Sequence, residues 1–371
     1  MTAGDGKTFM GCMSGTSADG VDVATVQTDG REIRSIGPSG YLPYGAGEVA
    51  RIRAAFGSWP GEARAEAAAS TVERAHAAIL DTFEPGIPVG FHGQTLAHDP
   101  DNGRTHQAGD GQKLADATGR PVIWDFRSND MRHGGQGAPL APFYHFALAG
   151  WLNLTQPIAF LNLGGVGNVT IVNPTADAPE DEGALLAFDT GPANAVIDDL
   201  VRSRTGESHD ASGMLAMNGN PDLQIVGEFL DDPWFRPPPR SLDRNDFDWL
   251  GSRVEAMSVE DAAATLTACV TGAVRGAFDH VGAAVEMIVV CGGGRKNAAI
   301  MAGLSDLLTA TVVGVDELGL DGDMLEAQAF AYLAARVMHG LPTSCPGTTG
   351  CTSPVVGGRI SRPGGLVASG A

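Results

Sequence analysis

The chain has 371 residues, of which 43% are hydrophobic and 18% charged, a composition typical of a folded globular protein and not of a disordered one. Its length favours two domains. The formal net charge of −20, with only three lysines, argues against nucleic acid as a partner because the backbone phosphates would be repelled. An anionic nucleotide could still bind through backbone amides, a metal ion or a few arginines.

The cysteines and the distribution of apolar residues bear on the compartment. Five cysteines are present, an odd number without a C-x-x-C pair, which favours a reducing environment. The sequence shows no basic segment followed by an apolar leader. No apolar run reaches the ~18–20 residues that a membrane span needs. We therefore expect a cytoplasmic protein with no membrane partner.

The first part of the chain predicts strands, hairpins and crossover helices. The stretch FMGCMSGTSADGVDVATV at 9–26 has an apolar strand at each end and a turn of hydroxyls, glycines and carboxylates between them. The alanine-rich stretch at 47–83 has helical spacing. Residues 87–98 predict a strand that runs into a polar turn, and residues 120–142 predict a strand followed by a glycine-rich loop.

Near residue 141 the succession of strand, polar turn and strand begins again. Residues 156–173, QPIAFLNLGGVGNVTIVN, repeat the strand, turn and strand of 9–26. Farther along, the spacing predicts helices at 193–203, 257–281, 296–308 and 323–340, and strands at 285–294 and 310–318. The repetition predicts an α/β fold of two related halves, with domains at 1–140 and 141–371.

Three glycine-containing turns are candidates for an anion site, because such turns let backbone N–H groups approach a phosphate. They are the turn within 9–26, NLGGVGN at 162–168 and VVCGGGRKN at 289–297. None has the G-K-[ST] ending of a P-loop. Two hairpin turns and a glycine-rich strand end resemble the two phosphate loops and the adenosine loop of the actin, Hsp70 and sugar-kinase superfamily. Taken alone, the first turn is also compatible with an ordinary polar hairpin.

Two carboxylates are candidates for acid–base chemistry. Asp189 follows an apolar stretch in LAFDTGPANAVIDDL, and an aspartate at a strand end suits a general base. The alternative is that Asp189 caps the following helix. Glu326 lies near the start of the last predicted helix, where the alternative is a solvated surface charge.

Polar side chains in two loops are candidates for substrate contacts, since arginine and amide groups bind sugar hydroxyls or a carboxylate. They are Arg127, Asn129 and Gln136 in the glycine-rich loop, and Arg240, Ser241 and Arg244 in PPPRSLDRNDFD, which could also be plain surface residues. The nine histidines have no spacing that matches a common metal site.

Together these stretches closely resemble the anhydro-N-acetylmuramic acid kinase family, in the family's order and spacing, from residue 9 to about residue 360. The motifs that carry the resemblance are MSGTSADGVD, HGQT, DFRSNDM with GGQGAPL, LNLGGVGN, FDTGPAN, PPPRS, CGGG.KN and DELGL.GD..EAQAF. The resemblance implies a two-domain actin-like ATPase fold (sugar kinase/Hsp70/actin) with a central interdomain cleft.

The resemblance also implies the reaction. The family uses ATP to phosphorylate 1,6-anhydro-N-acetylmuramic acid and opens the anhydro ring with water, which gives N-acetylmuramic acid 6-phosphate and ADP in recycling of the cell wall. The implied partners are therefore this small sugar and water, with Mg²⁺ beside ATP. By the same resemblance we expect a homodimer.

The site residues follow from the matching motifs. The resemblance assigns the base to Asp189 and a second acidic position to Glu326, the magnesium contact to Asp19, and the substrate contacts to His92, Gln94, Arg127 and Asn129. The implied nucleotide contacts are Gly15, Thr16, Ser17, Ala18, Asp19, Gly20, Val21 and Asp22 in the first loop, Gly164, Gly165 and Asn168 in the second, and Gly292, Gly293 and Gly294 in the third. The family commonly has glycine where this chain has Ala193, and a positive φ there would strain an alanine. We expect the turn to tolerate Ala193.

Two other functions compete with this interpretation. One is a sugar kinase of the same superfamily whose acceptor is a free hydroxyl, and it differs because it consumes no water. The other is an actin-like or chaperone-like ATPase that acts on a protein partner. No appended peptide-binding domain or polymer-type insertion is apparent in the sequence, which argues against the second.

Overall fold

A computed structural model describes residues 6–232, 242, 244–282 and 284–365 of the chain. Its strands are β1 (Lys7–Ser14), β2 (Gly20–Thr28), β3 (Ile33–Pro43), β4 (Val89–Asp99), β5 (Arg104–Ala108), β6 (Val122–Trp124), β7 (Ile158–Leu163), β8 (Val166–Val172), β9 (Leu185–Pro192), β10 (Met287–Cys291), β11 (Thr311–Gly314) and β12 (Arg359–Ser361).

The α-helices in the same described ranges are α1 (Ala46–Ala54), α2 (Ala63–Leu80), α3 (Gly111–Thr118), α4 (Ser128–Arg132), α5 (Pro142–Trp151), α6 (Asn194–Thr205), α7 (Met214–Asn218), α8 (Leu223–Leu230), α9 (Trp249–Arg253), α10 (Val259–Val281), α11 (Ala298–Leu307), α12 (Leu325–Met338) and α13 (Pro346–Thr349). Short 3₁₀ helices cover Pro100–Asn102, Ala211–Gly213, Arg244–Phe247, Gly293–Lys296 and Val315–Leu318.

The strands form two sheets with the same core topology. In the first sheet the order is β12-β6-β4-β1-β2-β3, with β5 paired to β4. In the second it is β11-β10-β7-β8-β9. Each sheet has an antiparallel meander of three strands whose first strand also pairs in parallel with a later strand. The predicted α/β class and the two related halves are therefore confirmed.

The chain divides into two compact units. The first comprises residues 1–154, 176–184 and 324–371, and the second comprises residues 155–175 and 185–323. This division differs from the predicted boundary between residues 140 and 141. Two later segments belong to the first unit because α12 packs on β1 and β2, and β12 pairs with β6.

The segment 176–184 is fixed within the first unit by Glu180. Its carboxylate forms an ion pair of 2.6 Å with the buried guanidinium of Arg336 on α12. Arg336 also donates to the carbonyl oxygens of Gly30 and Pro342. A buried arginine needs such partners because an unpaired charge is costly away from water. The alternation of apolar residues along the sequence carries no sign of this long-range pairing.

Two glycines allow α12 to lie directly on the first sheet. A Cβ added to Gly11 on β1 would overlap with the backbone of Ala327, and one added to Gly90 on β4 would overlap with the backbone of Phe330. The helix backbone therefore occupies space that any larger residue at these positions would need. Glu326 is on the first turn of α12, so these contacts also determine the position of that residue within the first unit.

The core of the second unit is built around α10. This helix buries thirteen residues, from Ala262 to Phe278. Nine of them pack with β7 residues such as Leu161 and Leu163 and with Ile197 of α6 in one hydrophobic cluster. No helix in the described ranges combines the length and the apolarity that crossing a bilayer requires.

Candidate active site

The first glycine-containing turn joins β1 and β2. The N–H of Ala18 donates to the carbonyl of Gly15 at 3.0 Å and closes the turn, with Ala18 at φ 53°. Ser17 donates its hydroxyl proton to Asp19 Oδ1 at 2.7 Å. Thr16, Ser17 and Asp19 are exposed, whereas Ala18 is fully buried. The turn thus presents two hydroxyls and a carboxylate to solvent on a fixed backbone.

A buried hydrogen-bond network supports this turn from below. Ser14 donates to Gln94 Oε1 at 2.6 Å, and Gln94 Nε2 donates to the carbonyl of Gly15 at 3.0 Å. Tyr44 donates its hydroxyl to Ser14 Oγ at 3.1 Å, and its backbone N–H donates to the carbonyl of Asp19. Burial raises the pKa of Tyr44 to about 12, so the phenol remains a donor at neutral pH.

These contacts give Gln94 a role that the sequence did not reveal. Gln94 is fully buried, and both the oxygen and the nitrogen of its side-chain amide form hydrogen bonds with the first turn or the residue before it. Its predicted contact with substrate stays a prediction. Sequence reasoning missed Tyr44 altogether, because the residue lies in no motif and reaches Ser14 only through the pairing of β2 with β3.

His92 and Arg127 form a second cluster in the first unit. Arg127 Nη2 lies 2.9 Å from His92 Nε2, and Nη1 donates to the carbonyl of Gly137 at 2.6 Å. Burial, followed by the charge of Arg127, holds the pKa of His92 well below its usual range, so His92 is neutral and accepts at Nε2. Burial also lowers the pKa of Arg127 to about 10, which leaves it protonated at neutral pH.

Asp130 fixes the loop that carries Arg127. Its fully buried carboxylate accepts hydrogen bonds from Ser344 at 2.5 Å, from Thr349 at 2.6 Å and from the N–H of Gly137 at 2.7 Å. Three donors offset the cost of burying the charge. The motif DFRSNDM contains Asp130 but indicates no role for it, because two of its three partners, Ser344 and Thr349, lie more than 200 residues later. Asn129, predicted to contact substrate, donates to the carbonyl of Val356 at 2.8 Å.

Glu326 is exposed at the start of α12. Desolvation by the surrounding protein raises the pKa of its carboxyl, and the charge of Arg127 opposes that shift. A carboxyl with a raised pKa and an arginine near it is a common feature of active sites.

In the second unit, the turn between β7 and β8 meets the start of α6. The N–H groups of Ala193 and Asn194 donate to the carbonyls of Gly165 and Gly164, at 3.2 and 2.9 Å. The side chain of Asn194 donates to the carbonyl of Leu163 at 2.7 Å. Ala193 has φ −135°, so the positive φ that would strain an alanine does not occur, and the expectation that the turn tolerates Ala193 is confirmed.

Asp189 lies in a row of polar side chains across three strands. In the strand register Asn162 pairs with Asn168, and Asn168 pairs with Asp189, so all three are on one face of the second sheet. Asp189 Oδ2 accepts a hydrogen bond of 2.8 Å from the N–H of Leu242. The carboxylate is half-buried and held in one orientation. Asp189 belongs to β9 and precedes α6 by five residues, so it does not cap that helix.

The third glycine-rich turn packs against the second. A Cβ on Gly292, whose φ is +69°, would overlap with Asn162 Oδ1, and one on Gly294 would lie 2.5 Å from Leu163 Cβ. These two positions therefore need glycine, the first for its backbone conformation as well. Gly293 is exposed. The second unit thus brings together the second turn, the third turn and the row that contains Asp189.

Comparisons with known proteins identify the family. The sequence profile described as Anhydro-N-acetylmuramic acid kinase matches residues 7–363. A relative from Jannaschia sp. strain CCS1, named Anhydro-N-acetylmuramic acid kinase 1, is 55% identical over 95% of each chain. The chain belongs to the anhydro-N-acetylmuramic acid kinase family.

Two further matches complete the comparison. The Anhydro-N-acetylmuramic acid kinase from Cereibacter sphaeroides is 54% identical over 99% of each chain. Among solved structures, a ligand-bound xylulose kinase from Lactobacillus acidophilus has a TM-score of 0.47 at 10% identity, with 96% of this chain and 94% of that one covered. As a member of the anhydro-N-acetylmuramic acid kinase family, the protein is a kinase that uses ATP.

The residues present in this anhydro-N-acetylmuramic acid kinase fit a nucleotide. A Cβ added to Gly164 or Gly293 would meet no atom closer than 3.4 Å, so their backbones are open to a ligand. In the second unit such open backbone suits a nucleotide, and in the first unit the exposed hydroxyls of Thr16 and Ser17 suit phosphate oxygens. Arg240, Ser241 and the side chain of Arg244, predicted as candidates for substrate contacts, lie outside the part of the chain that the structure describes.

The donor set also fits a magnesium ion held mainly by phosphate and water. Within the described ranges, no three histidine, cysteine or acidic side chains lie close enough to hold a metal by themselves. Mg²⁺ usually keeps several waters and takes only one or two carboxylates from the protein, with substrate phosphates as its other ligands. Asp19, exposed on the first turn and oriented by Ser17, is a carboxylate of this kind.

Proposed function

We propose that this kinase acts on 1,6-anhydro-N-acetylmuramic acid, opens the anhydro ring with water and phosphorylates O6, which gives N-acetylmuramic acid 6-phosphate and ADP. The names of the relatives at 52–55% identity support the substrate. The observation that supports the ring opening is the half-buried carboxylate of Asp189, oriented on β9 in the same unit as the second and third glycine-rich turns. A kinase whose acceptor is a free hydroxyl has no water to activate at the sugar.

The reaction couples two displacements. The acceptor oxygen O6 is tied to the anomeric carbon C1, so it becomes nucleophilic only as the C1–O6 bond breaks. Water attacks C1 and loses a proton, O6 leaves C1 and attacks the γ-phosphorus, and the bond between that phosphorus and ADP breaks. The sum is one water and one ATP consumed for one sugar 6-phosphate and one ADP.

Asp189 is the proposed base that takes the proton from water. The N–H of Leu242 orients its carboxylate, and the register of β8 and β9 fixes it beside Asn168. An oriented carboxylate within hydrogen-bond reach of the water contributes about 10²–10⁴-fold to the rate. Glu326 is the proposed second acidic group; desolvation by the surrounding protein raises the pKa of its carboxyl, and the charge of Arg127 opposes that shift.

Substrate orientation is assigned to His92, Arg127, Gln94 and Asn129. Arg127 remains charged and is held by His92 and Gly137, which suits attraction of the lactyl carboxylate of muramic acid. The backbone of Gly164 and Gly165 and the hydroxyls of Thr16 and Ser17 would cradle the phosphates, and the third turn with Gly293 would contact the adenosine. Mg²⁺, held through Asp19, would neutralise charge on the transferred phosphoryl group.

The biological setting follows from the product. A kinase that converts an anhydro sugar of peptidoglycan to a 6-phosphate belongs to cell-wall recycling. Free ATP is a cytoplasmic metabolite, so we propose the cytoplasm as the compartment. We further propose that the protein acts as a homodimer, as the resemblance to the family implies.

The test is a reaction of the purified full-length protein with Mg-ATP and 1,6-anhydro-N-acetylmuramic acid in ¹⁸O-labelled water, followed by mass spectrometry before the anomers exchange. We expect one labelled oxygen at the anomeric hydroxyl and none in the phosphate. An unlabelled sugar phosphate would mean a free-hydroxyl acceptor. ATP hydrolysis without any sugar product would point to an ATPase that acts on another partner.

A further inference from the structure

Arg295 is a buried charge in the second unit that no step of the reaction uses. It directly follows the third glycine-rich turn, and its side chain is only 3% exposed. Two aspartates from a later segment of the chain surround it, Asp316 and Asp323. Buried arginines are rare unless each N–H finds a partner, so the arrangement needs a reason.

The guanidinium of Arg295 bonds in three directions. Its Nε donates to Asp316 Oδ2 at 2.6 Å, and Nη2 donates to Asp323 Oδ1 at 3.0 Å. Nη1 donates to the carbonyl of Gly292 at 2.9 Å. Gly292 is the residue with positive φ at the start of the turn, so the third bond reaches the point where the backbone turns away from β10.

The segment 316–323 is shaped to receive this side chain. Asp316 Oδ1 accepts from the N–H of Gly322, and a Cβ on Gly322 would overlap with the guanidinium of Arg295. The hydrogen bond from Arg295 holds the pKa of Asp316 below its usual range. Lys296 adds a second positive charge, 2.8 Å from Asp323 Oδ2. The third turn and the segment 316–323 therefore form one ionic cluster.

We propose that Arg295 is a positioning residue that locks the backbone of Gly292–Gly294 into its nucleotide-binding conformation, with Asp316 and Asp323 as its anchors. The inference rests on the proposed binding of ATP at this turn. Glycines give the turn its open backbone but also leave it free to move. A carbonyl bond from a buried, doubly paired arginine supplies the rigidity that the glycines lack, and a preorganised site binds more tightly.

The geometry explains why lysine would not replace Arg295. One ammonium cannot point three donors along the directions of Asp316, Asp323 and the Gly292 carbonyl, whereas a planar guanidinium does. The anchors, in contrast, are more than half exposed, and an asparagine at either position keeps a side-chain oxygen that accepts from the buried Arg295, so the conversion removes negative charge without removing the acceptors. Variants of the anchors are therefore the safer test of the proposal, since folding should survive them.

The experiment measures ADP binding to the full-length protein by calorimetry, and kcat and KM for ATP and for the sugar, in the double variant Asp316→Asn/Asp323→Asn and in Gly322→Ala. We expect the Kd for ADP and the KM for ATP to rise about tenfold in each, which is ~1.4 kcal/mol. The KM for the sugar and the kcat at saturating ATP should stay within about twofold. Asp279→Asn is the matched control, because Asp279 also pairs with an arginine in the same unit but away from the turn.

The outcomes separate this inference from the proposed function. Wild-type affinity for ADP in both variants would overturn the positioning role while leaving the kinase proposal intact. A fall in kcat together with a rise in both KM values, and a lower Tm in the absence of nucleotide, would assign the cluster to general stability. That result would also overturn the positioning role. A wild-type protein that binds no ADP would refute the nucleotide site itself.

Discussion

Replacing Asp189 with asparagine tests the proposed base with little change in shape. The side-chain oxygen of asparagine can still accept the 2.8 Å hydrogen bond from the N–H of Leu242, and the pairing of β8 with β9 does not involve the side chain. The variant should therefore fold and bind nucleotide like the wild type. What it lacks is a group able to take a proton from water, because an amide is not a base at neutral pH.

The expected loss can be estimated from this single change. General-base catalysis contributes about 10²–10⁴-fold, so kcat should fall by that factor, or ~3–5 kcal/mol of transition-state stabilisation. The KM for ATP should remain within about twofold, since no phosphate contact is removed. Release of ADP in the presence of saturating sugar gives kcat, and calorimetry with ADP shows that the nucleotide site is intact.

A matched control is Asp306→Asn, an exposed aspartate on α11 in the same unit, which should behave like the wild type. A turnover of Asp189→Asn within about threefold of the wild-type value would refute the reasoning, since a base contributes far more than that. A large loss of ADP affinity would also contradict it, because Asp189 would then support the site and not the chemistry.

Three further predictions concern the first unit. Asp19→Ala should raise the Mg²⁺ concentration for half-maximal activity by about tenfold, as the loss of a group that supports a metal does. An unchanged magnesium titration would exclude Asp19 as a magnesium contact. Tyr44→Phe removes one buried hydrogen bond worth ~1 kcal/mol, so the KM for ATP should rise about fivefold. The control is Tyr41→Phe, which loses an exposed hydrogen bond to the same turn and should raise the KM for ATP less. Burial lowers the pKa of His76 from 6.5 to about 4, so as the pH falls the unfolded chain binds a proton at His76 before the folded chain does. The free energy of unfolding should therefore fall by ~3 kcal/mol as the pH drops from 6.5 to 4. Urea unfolding of His76→Leu across that range should show a flatter pH dependence, and parallel curves would refute the assignment.

Much of the fold was accessible from local patterns. The strand, turn and strand at 156–173 became β7 and β8, the helix expected at 257–281 became α10, and the helix expected to stop at Gly340 became α12. Apolar periodicity finds such elements because each buries one face. The stretch after residue 30 forms the single long strand β3, whose pairing partner is β2.

The assignment of segments to units was not accessible in the same way. A single boundary near residue 140 assumes that each unit is one continuous stretch, whereas the first unit also takes residues 176–184 and 324–371. The reasons are the ion pair of Glu180 with Arg336 and the close approach of α12 to Gly11 and Gly90. These contacts join residues more than 150 positions apart, and no local spacing records them.

The candidate site likewise has two kinds of residue: those that a sequence motif reveals, and those that fix the motif residues in position. The turns with exposed glycines and hydroxyls could be found from sequence because an anion site needs that unusual composition. Their supports are harder to find: Tyr44 beside the first turn lies in no motif, and Arg295 beside the third turn bonds to Gly292 from an unspecified motif position. Gln94 lies in the motif HGQT, but the motif predicted a substrate contact and not its bond to Gly15.

This separation has a physical cause. A residue that touches ligand must be of one type, whereas a support needs only a donor or acceptor that reaches a particular backbone atom, and several residue types at several positions in the fold can supply one. Arg295 itself fills the unspecified position of the motif CGGG.KN. Substitutions among the supports should therefore raise the KM for ATP in a graded way and leave kcat nearly unchanged, whereas substitutions of Asp189 should lower kcat and leave the KM for ATP nearly unchanged.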